Sequence, residues 1–246
     1  MQNVLKELSS LFTSGERLSL LLSLIGIIIG IITSQFNVLI GTILFSTFLL
    51  GIIIILVYAF YIKEKFGHLY HTLEHDQTWE LLDEEGREVI HIKRMKIRFI
   101  QNNVMSIVDY LWGDGEIFAE YECTPGKCVD IYRYGARYHA LISLQEIKNR
   151  GDLMEITIQR KILNGFLNPT EWVELDIYSE SQSTTLTIIF PDKRPCKQAR
   201  LVHRITGEVK ELEPYNFSYL KDGRQKLFLS FKNPPRHEMY TIRWNW

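Results

Sequence analysis

Residues 18–62 contain no Asp, Glu, Lys, Arg or His, and no other stretch constrains the chain as strongly. Two apolar runs divide this segment. The first, 18–33, extends to Gln35 as a helix of about 27 Å, close to the ~30 Å of a bilayer core. The second, 38–62, is long enough to span with some tilt. Between them Ser34-Gln35-Phe36-Asn37 forms a polar, uncharged turn. The expectation is a two-helix transmembrane hairpin over 18–62. Glu16-Arg17 precedes it and no small-residue cleavage site follows, so a removed signal peptide is disfavoured.

Orientation follows from flanking cations. Lys6 and Arg17 come before the first run, Lys63 and Lys65 follow the second, and the turn has none. A multi-pass protein of a bacterial inner membrane with both termini cytoplasmic is expected. Val4, Leu5, Leu8, Leu11 and Phe12 recur at helical spacing, so residues 1–17 read as an amphipathic juxtamembrane helix. Gly26 and Gly30 form a small-xxx-small face, and Gly41 and Gly51 add small positions on the second run. These serve packing within the hairpin or assembly between copies. Coupled transport needs intramembrane charge, which this segment lacks.

Residues 63–89 read as a juxtamembrane helix followed by an acidic linker. His68, His71 and His75 would share a helical face there, a weak metal candidate beside the reading of a solvated stripe. From residue 90 to 246 the pattern is β. Met95, Ile97 and Phe99 alternate with Arg94, Lys96 and Arg98, and further strands are expected at 106–112, 117–123, 129–134, 138–144, 153–162, 172–178, 184–190, 200–205, 225–231 and 240–246. Tyr240, Ile242, Trp244 and Trp246 share a face, which buries the C-terminus. The fold class expected is an all-β antiparallel sandwich or barrel behind the hairpin.

Chemistry is sparse. Three cysteines in a chain of net charge −1 argue against a secreted disulfide scaffold, and Cys123-x4-Cys128 is too wide for a zinc knuckle. No phosphate loop, dinucleotide fingerprint, zincin motif or nucleophile elbow occurs. A Cys128–His139 pair is conceivable, but scattered strand histidines are more often structural. No catalytic residues and no cofactor are assigned, and the chain reads as a non-enzyme. Lys93, Arg94, Lys96 and Arg98 are the most pointed charge feature. They suit anionic lipid, a nucleic-acid backbone or an anionic nucleotide, or else form a solvated face balanced by the acidic linker.

A short helix, an uncharged hairpin at 18–35 and 38–62 and a strand-rich remainder together resemble the two-transmembrane effectors of bacterial anti-phage systems, retron-associated or CBASS-type. That resemblance is one of architecture. It implies a sensor or docking β domain, homo-oligomeric assembly on the lipid bilayer and membrane disruption in abortive infection. The implied regulators are a reverse transcriptase–nucleic acid complex or a cyclic oligonucleotide. The alternatives are a passive anchor recruiting a cytosolic partner, and a membrane-tethered enzyme.

Overall fold

The computed structural model describes residues 26, 38–66, 68–135, 137–177 and 181–246. The chain divides into two units, Met1–Gly67 and His68–Trp246. In the first, the described residues hold the helix α1 (Val38–Phe66), and Gly26 is helical as well. Among the described residues no helix is long and apolar enough to cross a membrane. The transmembrane hairpin is corrected accordingly. With it go the multi-pass inner-membrane placement, the membrane-disrupting effector role with its defence setting, and the passive anchor. The amphipathic segment 1–17, the first run 18–35 apart from Gly26, the turn 34–37 and Gly30 lie outside the described residues.

The second unit is all β. Its strands are β1 (Tyr70–Leu81), β2 (Glu88–Phe99), β3 (Val104–Leu111), β4 (Glu116–Thr124), β5 (Lys127–Tyr134), β6 (Arg137–Lys148) and β7 (Leu153–Leu163), followed by β8 (Thr170–Ile177), β9 (Ser183–Ile189), β10 (Gln198–His203), β11 (Val209–Glu211), β12 (Phe217–Tyr219), β13 (Gln225–Lys232) and β14 (Glu238–Asn245). A seven-stranded sheet runs β12-β13-β9-β1-β2-β7-β4, a four-stranded sheet β11-β10-β14-β8, and a three-stranded sheet β3-β6-β5. Pairing is antiparallel except between β1 and β9, which run parallel. The purely antiparallel expectation is corrected at that pair. Parallel neighbours cannot be joined by a hairpin, and here the chain between β1 and β9 supplies the crossover.

The helical reading of 63–89 is corrected as well. Helix α1 ends at Phe66, and β1 occupies Tyr70–Leu81. The acidic stretch is a strand up to Leu81, and the loop that remains, 82–87, is built around the Asp83–Gly86 turn. In that turn the Asp83 carboxylate accepts backbone N–H groups of Glu85 and Arg87 at 2.9 and 3.0 Å. Gly86 sits at φ +75, and a Cβ there would lie 1.9 Å from the Phe166 carbonyl oxygen. Backbone atoms at that distance must move apart. Gly86→Ala is therefore expected to cost roughly 2–3 kcal/mol, from left-handed φ and local overpacking, read as a lowered urea midpoint.

One face of the seven-stranded sheet carries the core. Over its β9–β13 side, Leu186, Ile188, Leu227 and Leu229 meet Val173, Leu175, Ile242 and Trp244 of the four-stranded sheet. Over β2 and β7, Ile97, Phe99, Ile156 and Ile158 meet Ile107, Ile142 and Leu144 of the three-stranded sheet. Trp244 and Trp246 are buried, as the shared face of the last strand predicts, and the Trp246 indole donates to the Asn168 carbonyl at 2.8 Å.

Candidate functional site

The two apolar clusters meet along a polar seam. In register, Trp79 on β1 opposes His91 on β2, His91 opposes Arg160 on β7, and Arg160 opposes Tyr121 on β4. Even spacing along β2 and β7 points these side chains at the inner face, where alternation otherwise places Met95, Ile97 and Ile158. Asp109 of β3 reaches them from the covering sheet. Lys93 Nζ donates to its Oδ1 at 3.0 Å and the Tyr121 hydroxyl to its Oδ2 at 3.1 Å. Arg160 Nη1 lies 3.2 Å from Oδ2 as an ion pair without hydrogen-bond alignment. The side chains of Arg160 and Asp109 are each 1% exposed.

Arg160 also donates from Nε to His91 Nδ1 at 2.9 Å. A guanidinium is donor only, so Nδ1 accepts and the imidazole proton sits on Nε2. That Nε2–H is buried with no acceptor among the described residues. The His91 ring stacks on Trp79 with centroids 3.8 Å apart. Burial, reinforced by Arg160, Lys93 and His75, holds His91 well below the ordinary imidazole range. His75, also buried, lies 3.2 Å through Nε2 from the Gln77 amide nitrogen. Its pKa is pushed down to about 3 by burial and then by Lys93, against a smaller upward pull from Asp109. For Asp109 burial pushes the carboxyl up, but Arg160 and Lys93 outweigh it and hold it below the usual carboxylate range.

The seam is closed. Its central pair is almost wholly excluded from solvent, so it offers no approach to a substrate; its chemistry is to bind the three-stranded sheet to the large one through charge-assisted bonds. A second polar string has a similar character. His203 bonds Glu238 through Nε2, and Thr206 Oγ1 lies 2.7 Å from His203 Nδ1. In the same turn the Gly207 N–H donates to the His203 carbonyl and the Glu208 N–H to Thr206 Oγ1. The string fixes the β10–β11 turn.

The accessible face is the outer side of the three-stranded sheet. Tyr110 on β3, His139 on β6 and Tyr132 on β5 are cross-strand partners in one row, and Arg137 pairs with Tyr134 in the next. The inner side of the same strands holds Asp109, Leu111, Ala140 and Ile142, so alternation turns the tyrosines outward. His139 sits among three phenol rings, with centroids 4.8 Å to Tyr110, 5.2 Å to Tyr132 and 5.7 Å to Tyr134. Tyr110 and Tyr132 are each 42% exposed and Tyr134 74%. The Arg137 guanidinium lies over Trp112 at 4.4 Å and that of Arg133 over Tyr138 at 5.7 Å, while Arg133 Nε donates to the Gly135 carbonyl.

The sequence-predicted residues fall elsewhere. Lys93 points inward to Asp109, whereas Arg94, Lys96 and Arg98 line the opposite face. There Lys96 has Glu74 and Glu155 at 3.7 and 3.8 Å, and Arg94 is paired across the ladder with Asp76. Lys96 is thus matched by carboxylates, while Arg98 is exposed between His71 and Leu153. His68 precedes β1 while His71 and His75 lie on it, so the shared helical face does not form. Among the described residues no His, Cys, Asp or Glu group is placed to hold a metal ion. Gly41 and Gly51 lie in α1, and a Cβ at Gly26 or Gly51 would meet nothing within 4 Å. Cys123 and Cys128 are half-buried free thiols, and Cys196 is buried. Sequence reasoning missed Asp109, Arg160 and the aromatic row. The row had a signal: aromatic and basic residues interleave in Tyr132-Arg133-Tyr134 and again in Arg137-Tyr138-His139.

No protein-family model matches the chain. No curated protein matches it either. Among solved structures it is similar to a suggested protease from Parabacteroides distasonis, at TM-score 0.46 and 9% identity over 72% of this chain and 40% of that one. It is also similar to an M1 zinc metallopeptidase from Deinococcus radiodurans, at TM-score 0.42 and 8% identity over 71% of this chain and 42% of that one. The chain thus spans well under half the length of these proteins. The likeness is too distant to carry fold family or chemistry to this chain, and it lends the expectation of a non-enzyme no support.

Proposed function

We propose that the β unit is a binding module whose outer β3–β6–β5 face takes nucleotides, stacking bases on its rings and pairing phosphate with Arg137. The observation that carries this is the row Tyr110, His139 and Tyr132 with Tyr134 beside it, exposed on a sheet face. Every base has a π-face, so exposed rings bind single strands with little sequence preference, at about 1–3 kcal/mol per stacked base. On that sheet face Lys127 and Arg137 stand against Asp130, two cations less one anion, a local +1 in a chain of net −1, while Arg133 lies on the other face opposite Tyr138. Phosphate contacts need such an excess. Both regulator classes implied by the resemblance, a nucleic acid held by a protein complex and a cyclic oligonucleotide, present this base-plus-phosphate chemistry. In this reading the unit binds rather than catalyses, in keeping with the closed Asp109 seam.

Fluorescence anisotropy with labelled single-stranded DNA and RNA, and calorimetry with cyclic dinucleotides, test it. Tyr134→Ala is expected to weaken binding about 5- to 150-fold, the range of one lost stacking contact. Arg137→Ala should weaken it and flatten the dependence of log K on log salt by about 1. Saturable binding of a neutral oligosaccharide with no response to any of the nucleotides would overturn the reading, as would binding indifferent to both substitutions.

A further inference from the structure

The strand that carries Tyr132 and Tyr134 is also an open edge. In the three-stranded sheet β6 is central, so β5 has one partner, and among the described residues no second strand joins it. Every residue of β5 but Cys128 is exposed, and Val129 and Ile131 are large apolar side chains among them. A bulge between Cys128 and Asp130 confines the regular edge to 130–134. Tyr134 and Arg137 close the β5–β6 hairpin with two residues between them. A closing pair of this kind exchanges both of its hydrogen bonds within the hairpin. Alternation then aims the backbone N–H and C=O of Ile131 and Arg133 away from β6, at the open edge. Such an edge is a template for another strand.

We propose that β5 pairs antiparallel with β5 of a second copy of this chain, about a two-fold axis passing through Tyr132. The sequence is self-complementary in that register. Ile131 faces the partner subunit's Arg133, and Arg133 faces the partner subunit's Ile131, which joins all the outward backbone groups in N–H···O bonds. Tyr132 faces the partner subunit's Tyr132 at a non-hydrogen-bonded position, where side chains approach most closely. Asp130 faces the partner subunit's Tyr134, and its carboxylate comes beside the partner subunit's Arg137, the cross-strand neighbour of that tyrosine. A slip of one residue would turn Tyr132 and Asp130 to the wrong face. An isologous contact of this kind closes on itself as a dimer.

Pairing completes the platform of the proposed function, on which this inference rests. The rings of Tyr110, His139 and Tyr132 continue into the partner subunit's Tyr132, His139 and Tyr110. One unbroken aromatic row then crosses six strands, about 24 Å between the outer two at ~4.8 Å spacing. Each copy supplies half of a two-fold surface that a single-stranded or cyclic oligonucleotide would cover.

The test is cross-linking of full-length Tyr132→Cys with glutathione disulfide. Each link consumes two protein thiols and one glutathione disulfide, and releases the protein disulfide and two glutathiones. A dimer joined through position 132, mapped by mass spectrometry against the unsubstituted chain as background for its native thiols, is expected. Ile131→Cys should not link to itself but should link to Arg133→Cys when the two chains are mixed. In sedimentation velocity Ile131→Lys, which sets a lysine against the partner subunit's Arg133 twice, should weaken dimerisation at least tenfold. Ile131→Pro, which removes only an outward N–H, should weaken it too. Self-linking at 131, or a monomer at every concentration, overturns the proposal. A monomer that still binds oligonucleotide through Tyr134 and Arg137 would overturn the pairing and leave the binding reading standing. An unsubstituted chain that is dimeric in sedimentation velocity but binds no nucleotide would do the reverse.

Discussion

Asp109→Ala is expected to lower the stability of the β unit by about 3–5 kcal/mol, the cost of removing one partner from a buried ion pair. Asp109 is the only anion the seam sets against Lys93 and Arg160, and it also accepts from the Tyr121 hydroxyl. Without it two cations remain in a dry layer, one of them on a side chain 1% exposed. Urea denaturation should show the loss as a lowered midpoint. Hydrogen exchange should place it in β3 and β6, because Asp109 is the main polar tie from their sheet to the large one. Asp109→Asn keeps the size and two acceptor lone pairs and should fall between. Replacing Lys93, Asp109 and Arg160 together by apolar residues of similar volume should recover most of the stability, since a buried triad often does no better than good packing. A midpoint for Asp109→Ala within about 0.5 kcal/mol of the parent, the size of an ordinary surface change, would refute the seam as a structural tie.

Stability is also expected to fall early on acidification, by roughly 2–3 kcal/mol between pH 6 and 5. His75 is held down to about 3, by burial and then Lys93, and His91 is held well below its ordinary value, by burial and then Arg160. Both rings stay neutral in the folded chain. Unfolded, they titrate near 6.5, so below that pH the unfolded state binds more protons and the folded state loses ground. Each ring contributes a slope of about 1.4 kcal/mol per pH unit once the unfolded form is protonated. Asp109 acts lower, because its depressed carboxyl stabilises the fold until pH falls through its folded value. Urea midpoints at pH 7.5, 6 and 5 would show the two-proton slope. His75→Gln and His91→Gln should each remove about half of it, and an unchanged slope in both variants would assign the acid sensitivity elsewhere.

Much of the β unit is legible along the chain because its strands obey simple alternation. Met95, Ile97 and Phe99 mark β2, and Ile242, Trp244 and Trp246 mark the buried last strand. Strand β1 hid for the opposite reason. Its inward positions include His75 and Gln77, both buried, so polar residues stand where a period-two reading looks for apolar ones. The same inversion hid the seam. Asp109 follows Val108 in a strand that reads as apolar, and its partners lie 16 residues before it, on β2, and 51 after it, on β7. Lys93 looked like one of four surface cations for the converse reason, since nothing local tells which cation in a basic strand turns inward.

What the sequence determined by itself was hydropathy and period: an uncharged apolar segment at 18–62, a strand-dense remainder, and a last strand with one buried face. These are local properties, set by the chemistry of neighbours one to four residues apart. Tertiary structure alone decided that β1 lies parallel to β9, that Lys93 pairs with Asp109 while Lys96 meets Glu74 and Glu155, and that Tyr110, His139 and Tyr132 form one row. Each of those depends on which strand lies beside which. A chain's own periodicity carries no record of its register with a strand a hundred residues away; the packing of buried faces sets it.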